Sequence, residues 1–312
     1  MTARPREGQT LEGGSLLVRY LNFVKLPHTL FALPFALVGA TLASYRIPVA
    51  WPVLSWMVVA FTAARFAAMG FNRIVDRHID AINPRTASRE LPSGSLTLVQ
   101  AVVAVVMAAA LFVWSAFRLN PLCGWLSPVA LGWVLAYSYT KRFTRWSHLV
   151  LGVSLSIAPV GGYLAVAGEW AQPWWMLLVL ATAVATWVAG FDILYALQDR
   201  TFDLAQGLHS IPVSFGAARA VRFSQVLHLA TIACLAAVGL ATGSGMLYGI
   251  GVAVAAGLLL YEHSLVTPHD LRRLDAAFFT MNGVISIAFF AFVLAERLFR
   301  ATGAPSSVPG LP

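Results

Sequence analysis

The sequence predicts an all-α polytopic membrane protein, with about nine transmembrane helices around a central cavity open to the cytoplasmic side. Three observations carry this reading. Of 312 residues, 59% are hydrophobic and only 11% are charged, against about 25% charged in soluble domains. A soluble globule of this length keeps too much surface in water to hide that much apolar side chain. The apolar residues also fall into runs of roughly 20, the length that crosses a bilayer core. The same composition excludes intrinsic disorder, a disulfide-stapled secreted module and an ordinary cytosolic enzyme.

The elements follow in order. Residues 1–15 are polar and lack a compact apolar core, so they are expected to stay attached as a loose tail. Residues 16–298 read as a single transmembrane domain, and 299–312 as a C-terminal tail. The expected spans are 20–45, 51–75, 96–117, 121–140, 148–167, 174–198, 219–242, 245–264 and 276–297. Pro27, Pro34 and Pro159 fall inside spans, which membrane helices tolerate when neighbours satisfy the freed backbone groups. Trp51, Trp56, Trp125, Trp133, Trp174 and Trp175 gather near span ends, as in interfacial belts.

Charge sets the expected orientation. The net charge is +8, which in such a chain reads as loop bias and attraction to anionic lipid rather than nucleic-acid binding. With the N-terminus in the cytoplasm, 16 of the 21 Lys and Arg lie on inner segments. Only Arg46, Arg118, Arg297 and Arg300 lie outside, and Arg65 sits within the second span. This places the N-terminus and loops 2–3, 4–5, 6–7 and 8–9 in the cytoplasm, and the expected location is a bacterial inner (plasma) membrane.

The acidic residues are concentrated. Asn72, Asp76 and Asp80 recur every fourth residue at the end of the second span. Asp192, Tyr195, Asp199 and Asp203 form a second stripe at the end of the sixth. Four crossings separate the stripes, so both emerge on one side, an arrangement consistent with an internal duplication. Stacked carboxylates repel and are costly near a membrane, so cations are expected to compensate. Two carboxylate clusters with an Asn suit Mg²⁺, which keeps waters and shares substrate phosphates. Asp192 lies about two turns deeper, inside an apolar run.

Basic and aromatic residues complete the expected site. Arg85 and Arg89 lie in a Pro- and Gly-bounded loop after the first stripe and suit phosphate. Lys141 and Arg142 follow Tyr137 and Tyr139. Arg65, two turns before Asn72, has Asp192 or a substrate carboxylate as its expected partner. His28 is a candidate cavity residue. His148, His209, His228, His263 and His269 show no metal-ligand spacing. Cys123 and Cys234 lie in apolar runs and are expected to be buried and inert.

The Asn-x3-Asp-x3-Asp and Asp-x2-Tyr-x3-Asp pair resembles the UbiA superfamily of intramembrane prenyltransferases. So do the Arg85/Arg89 loop ending Leu-Pro-Ser-Gly, Tyr137-x3-Lys141-Arg142 and the segment Gly207 to Gly216. The resemblance covers nearly the whole chain. It implies a polyprenyl diphosphate donor, Mg²⁺ and an aromatic acid acceptor. Asn72, Asp76 and Asp80 match the first metal–diphosphate motif, and Asp192, Tyr195, Asp199 and Asp203 the second. Arg85, Arg89 and Lys141 match the basic diphosphate contacts, and Arg65 an arginine inside the cavity. Tyr195, Phe71, Trp187 and Tyr137 are then candidates for facing an allylic cation.

The chain resembles a branch identified with 4-hydroxybenzoate or with a futalosine-route menaquinone precursor. It departs from many relatives at Arg73, where 4-hydroxybenzoate enzymes carry Asp, and at Glu90, where Pro is common. Either acceptor bears hydroxyl and carboxylate groups, which Arg65 or Arg142 suits. Haem O synthase shares the first motif but not the second. A CDP-alcohol phosphotransferase requires an Asp-Gly and Ala-Arg pattern that this sequence lacks. A cation-coupled transporter is the rival from another class, but transport sites tend towards the midplane, whereas these carboxylates sit at one mouth.

Overall fold

The apolar runs form helices, and their ends are set by local capping. The computed structural model describes residues 11, 13, 15–25, 33–268, 270–274 and 280–303. Ser15 caps α1 (Leu16–Phe23) by accepting from the Val18 N–H. Next come α2 (Leu33–Ala43), α3 (Trp51–Ile82), α4 (Leu98–Leu119) and α5 (Pro121–Ala136). Thr97 and Gln100 form a reciprocal capping box on α4, which satisfies backbone donors the helix leaves open. A 3₁₀ turn, Tyr137–Arg142, extends α5 and leads to α6 (Ser147–Ala167) and α7 (Met176–Ala196). A second 3₁₀ turn, Leu197–Asp199, joins α7 to the short α8 (Arg200–Ala205). The chain continues through α9 (Ile211–Phe215), α10 (Ala217–Ala241), α11 (Met246–Leu265) and α12 (Asn282–Gly303).

Among the described residues the only β feature is an isolated bridge between Thr267 and Asp270. Six helical stretches among the described residues are long and apolar enough to cross a membrane: α3, α4, α6, α7 through α8, α10 and α11. Helices α1 and α2, α5 and α12 overlap the other three expected spans without meeting that length and hydropathy. The span expected over 20–45 is not one helix. Helix α1 stops at Phe23, and Lys25 takes a left-handed conformation (φ 47°) two residues before Pro27. The N-terminal segment is also less loose than expected at one point. Leu11 exchanges two 3.0 Å hydrogen bonds with the Asn22 side chain. At the other end α12 runs past residue 298, so the expected domain boundary falls inside a helix.

Packing is closest between α3 and α4, α6 and α7, α7 and α10, and α2 and α6. Glycine permits the α2–α6 approach in both directions. A Cβ on Gly39 would collide with the Pro159 carbonyl, and one on Gly162 with the Ala36 carbonyl. Small residues are how membrane helices gain van der Waals contact, because lipid removes the hydrophobic incentive. Gly162→Leu is therefore expected to split this contact and reduce the folded yield in detergent, measured by size-exclusion chromatography; a wild-type elution profile would contradict it. Beside this seam lies an aromatic core. Trp187 packs on Phe35 (4.7 Å) and edge-on to Phe191 (5.1 Å), and Tyr248 edge-on to Phe289 (5.5 Å). These rings fix α7, the helix that carries the second acidic stripe.

Candidate active site

A cavity of about 570 Å³ opens among α3, α5, α6, α7 and the loop that follows α3. Its lining changes along α3. Met57, Ala60, Phe61 and Ala64 give way to Asn72, Asp76 and Asp80. From Ala60 to Asp76 the helix rises about 24 Å, so the apolar and charged ends are well separated. Phe112, Leu119, Cys123 and Leu126 extend the apolar end.

The first stripe is already neutralised by the protein's own cations. Asn72 Nδ2 donates to Asp76 Oδ2 at 3.0 Å, and Arg142 Nη2 donates to Asp76 Oδ1 at 2.9 Å. Arg89 Nη1 donates to both oxygens of Asp80, at 2.8 and 2.9 Å. The loop that carries Arg89 is pinned by Thr86, whose hydroxyl donates to the Asp80 carbonyl at 3.0 Å. Asn83 accepts from the Arg85 N–H at 3.0 Å, an Asx turn that aims the next side chain.

That side chain reaches across to the second stripe. Arg85 forks onto Asp199, with Nε to Oδ1 at 3.0 Å and Nη2 to Oδ2 at 2.6 Å. Its third nitrogen donates to the Tyr195 hydroxyl at 3.3 Å. A planar fork of this kind fixes geometry as well as charge. The helix tightens to 3₁₀ just where Asp199 falls. Asp192, Tyr195, Asp199 and Asp203 nevertheless all line the cavity. Asp203 is buried, and its Oδ2 has no hydrogen-bond partner among the described residues.

Lys141, Arg142, Tyr137 and Arg65 line the same cavity. Burial alone would lower the Lys141 ammonium, but the carboxylates of Asp203, Asp192, Asp199 and Asp76 outweigh it. They hold Lys141 above the usual lysine range, so it is a fixed cation at neutral pH. Asp192 is partnered by His148, whose Nδ1 lies 2.6 Å from Oδ2. The expectation that Arg65 pairs with Asp192 or a substrate carboxylate left this histidine out, because no metal-ligand spacing singles it out. The one sequence signal was position: His148 opens a span seven residues after Lys141.

The two departures from the family pattern meet each other. Arg73 and Glu90 form a 2.7 Å ion pair, with side chains only 4% and 13% exposed. The pair ties α3 to the loop that presents Arg85 and Arg89. Other expectations are corrected. Trp187 is buried in the aromatic core, and neither it nor Phe71 lines the cavity; Phe71 packs on Tyr139 at 6.0 Å. Phe191 lines it in their stead. Cys123 and Cys234 are free thiols, only partly buried. His28 lies outside the described residues.

The donors of the two stripes fit Mg²⁺. They are carboxylate oxygens with one Asn, the hard set this ion prefers. The buried Asp203 Oδ2 offers an unclaimed lone pair. No three His, Cys, Asp or Glu side chains among the described residues converge into a ready-made ion site.

A model of the UbiA prenyltransferase family matches residues 32–291. The chain belongs to this family. It is 32% identical over 241 residues to the 4-hydroxybenzoate octaprenyltransferase of Aromatoleum aromaticum, covering 76% of this chain and 79% of that one. The enzyme of the same name from Pectobacterium carotovorum is 32% identical over 259 residues, covering 81% and 86%. Among solved structures, the apo form of a UbiA homologue from Aeropyrum pernix K1 superposes with a TM-score of 0.78 at 34% identity. It covers 86% of this chain and 98% of the homologue. A UbiA homologue from Archaeoglobus fulgidus, bound to DMAPP and Mg²⁺, shares the fold at TM-score 0.69 and 20% identity, covering 90% and 99%. The chain is an integral membrane prenyltransferase of the UbiA family.

Proposed function

We propose that this chain transfers a polyprenyl group from polyprenyl diphosphate to a hydroxylated aromatic carboxylic acid. The acceptor is 4-hydroxybenzoate or a dihydroxynaphthoate, and the product serves ubiquinone or menaquinone synthesis. The observation that carries this reading is one cavity, apolar at one end, whose other end brings both acidic stripes together with Arg85, Arg89, Lys141 and Arg142. The names of the relatives support the acceptor class. Sixteen of 21 basic residues on inner segments support nine crossings with the N-terminus and the cavity mouth facing the cytoplasm.

Asp76, Asp80, Asp199 and Asp203, with Asn72, are the residues that would hold Mg²⁺. Bound there, the ion would neutralise the diphosphate and improve it as a leaving group. Arg85, Arg89, Lys141 and Arg142 supply the remaining positive charge. In this state each arginine of the three is matched to a carboxylate: Arg85 to Asp199, Arg89 to Asp80 and Arg142 to Asp76. An incoming diphosphate gives those arginines a stronger anion, and the freed carboxylates are the ones that would hold the ion. The site thus exchanges partners without leaving buried charge unpaired.

Departure of diphosphate leaves an allylic cation on the prenyl group. The apolar wall excludes water from it, and the Tyr137, Tyr195 and Phe191 rings face the same space. The electron-rich acceptor ring attacks the allylic carbon, its ring proton passes to the released diphosphate to restore aromaticity, and Asp192 orients the hydroxyl that activates the ring. Arg65 is the cation placed for the acceptor carboxylate.

The test is prenyl transfer by membranes containing the protein, with polyprenyl diphosphate and Mg²⁺. Separate tubes receive 4-hydroxybenzoate and 1,4-dihydroxy-6-naphthoate. A prenylated product in one tube, lost with EDTA and in Asp76→Asn, is the expected result and names the pathway. No product in either tube, while wild type binds the diphosphate, would overturn the acceptor class.

A further inference from the structure

The cavity wall at Asp192 has a second layer. His148 is fully buried and does not line the cavity, and its Nδ1 lies 2.6 Å from Asp192 Oδ2. Its other ring nitrogen, Nε2, accepts a hydrogen bond from the Ile211 backbone N–H at 3.4 Å. A backbone N–H can only donate, so Nε2 bears no proton. The ring proton therefore sits on Nδ1 and points at Asp192.

The chain segment that fixes this tautomer also fixes the neighbouring cation. The His209 N–H donates to the Lys141 carbonyl at 2.8 Å, two residues before Ile211. Ser210, wholly buried, accepts from the Val213 N–H at 3.2 Å and holds the turn between them. The Gly207–Gly216 segment thus grips both Lys141 and His148 from behind the cavity.

We propose that His148 is a positioning residue for the aromatic acceptor: a neutral imidazole, protonated on Nδ1, that holds Asp192 Oδ2 behind the wall and turns Oδ1 to the acceptor hydroxyl. The proposal rests on the reading of Asp192 as the residue that orients that hydroxyl. It assigns His148 no proton transfer, because Nε2 is occupied and Nδ1 already donates. An unanchored carboxylate samples several rotamers, and misplacement by about 1 Å near a reacting centre is costly in rate.

Side-chain amides separate this role from packing. In His148→Asn the amide nitrogen lies near the position of Nδ1 and can still donate to Asp192. In His148→Gln it lies near Nε2, facing Ile211, and fills the site better but cannot restore the anchor. His148→Leu fills the space with no donor. The experiment measures kcat for the aromatic acceptor and the affinity for geranyl diphosphate with Mg²⁺, on folded protein in lipid nanodiscs. His148→Leu and His148→Gln are expected to lose kcat by about 10- to 100-fold, as supporting residues of a reactive group typically do. His148→Asn is expected to recover most of it. Diphosphate affinity should stay within about twofold in all three, since only turnover is touched.

Gln matching or exceeding Asn would overturn the proposal, as would equal losses in kcat and diphosphate affinity. Asp192→Asn runs alongside. If it keeps wild-type turnover, the reading of Asp192 fails. If it loses turnover while the His148 variants all behave as wild type, only the present inference fails.

Discussion

Asp199→Asn is expected to reduce kcat/KM for prenyl transfer by about 10²- to 10³-fold, the usual range for removing one preorganised electrostatic contact. Two losses coincide there. The second stripe gives up a carboxylate, and Arg85 gives up its fork, now 3.0 and 2.6 Å from the two oxygens. Asn presents one oxygen and an amide nitrogen, which repels a guanidinium, so Arg85 loses its aim as well. Asp270→Asn is the control. That carboxylate is also paired with an arginine, Arg272, at 2.7 Å, but on the surface. Its loss should leave turnover unchanged. Steady-state kinetics on both variants check the contrast, and equal behaviour would contradict it.

The second large effect concerns stability. Arg73→Met is expected to destabilise the fold by about 3–5 kcal/mol, the cost of stranding one partner of a buried ion pair. Glu90, only 13% exposed, then has no cation at 2.7 Å and little water. Arg73→Met with Glu90→Met should recover most of the loss, because well-packed apolar residues replace such pairs at little net cost. Thermal unfolding in detergent checks the cycle; additive losses in the double variant would contradict it. The double variant also shows whether the pair matters only for folding. Glu90 is adjacent to Arg89, whose bond to Asp80 should survive if the loop keeps its Thr86 and Asn83 anchors.

Much of the site was legible because helical spacing is a geometric rule. Asn72, Asp76 and Asp80 had to share a face if residues 51–82 were helical, and they do. The cation need was equally legible, since stacked carboxylates must be neutralised. Which cation meets which carboxylate was not. Arg85 spans 114 positions to reach Asp199, and Arg142 spans 66 to reach Asp76. The His148–Asp192 contact, 44 positions apart, was hidden for the same reason. Spacing says nothing about which turns of two helices meet. Trp187 shows the converse error. It lies one turn before Phe191 on α7 but points into the aromatic core, because the sequence alone did not say which face of an almost uniformly apolar helix turns to the cavity. Arg73 and Glu90 looked like two separate departures from the family pattern until the fold joined them.

The central claim is that the two acidic stripes and their arginines form one site for a diphosphate with its divalent ion. Calorimetric titration of geranyl diphosphate into the purified protein tests it most directly, in Mg²⁺ and in EDTA. The account predicts binding at least about tenfold tighter with Mg²⁺, a difference of about 1.4 kcal/mol, and loss of that difference in both Asp76→Asn and Asp199→Asn. Equal affinity in Mg²⁺ and EDTA, or a Mg²⁺ effect untouched when either stripe is broken, would contradict it.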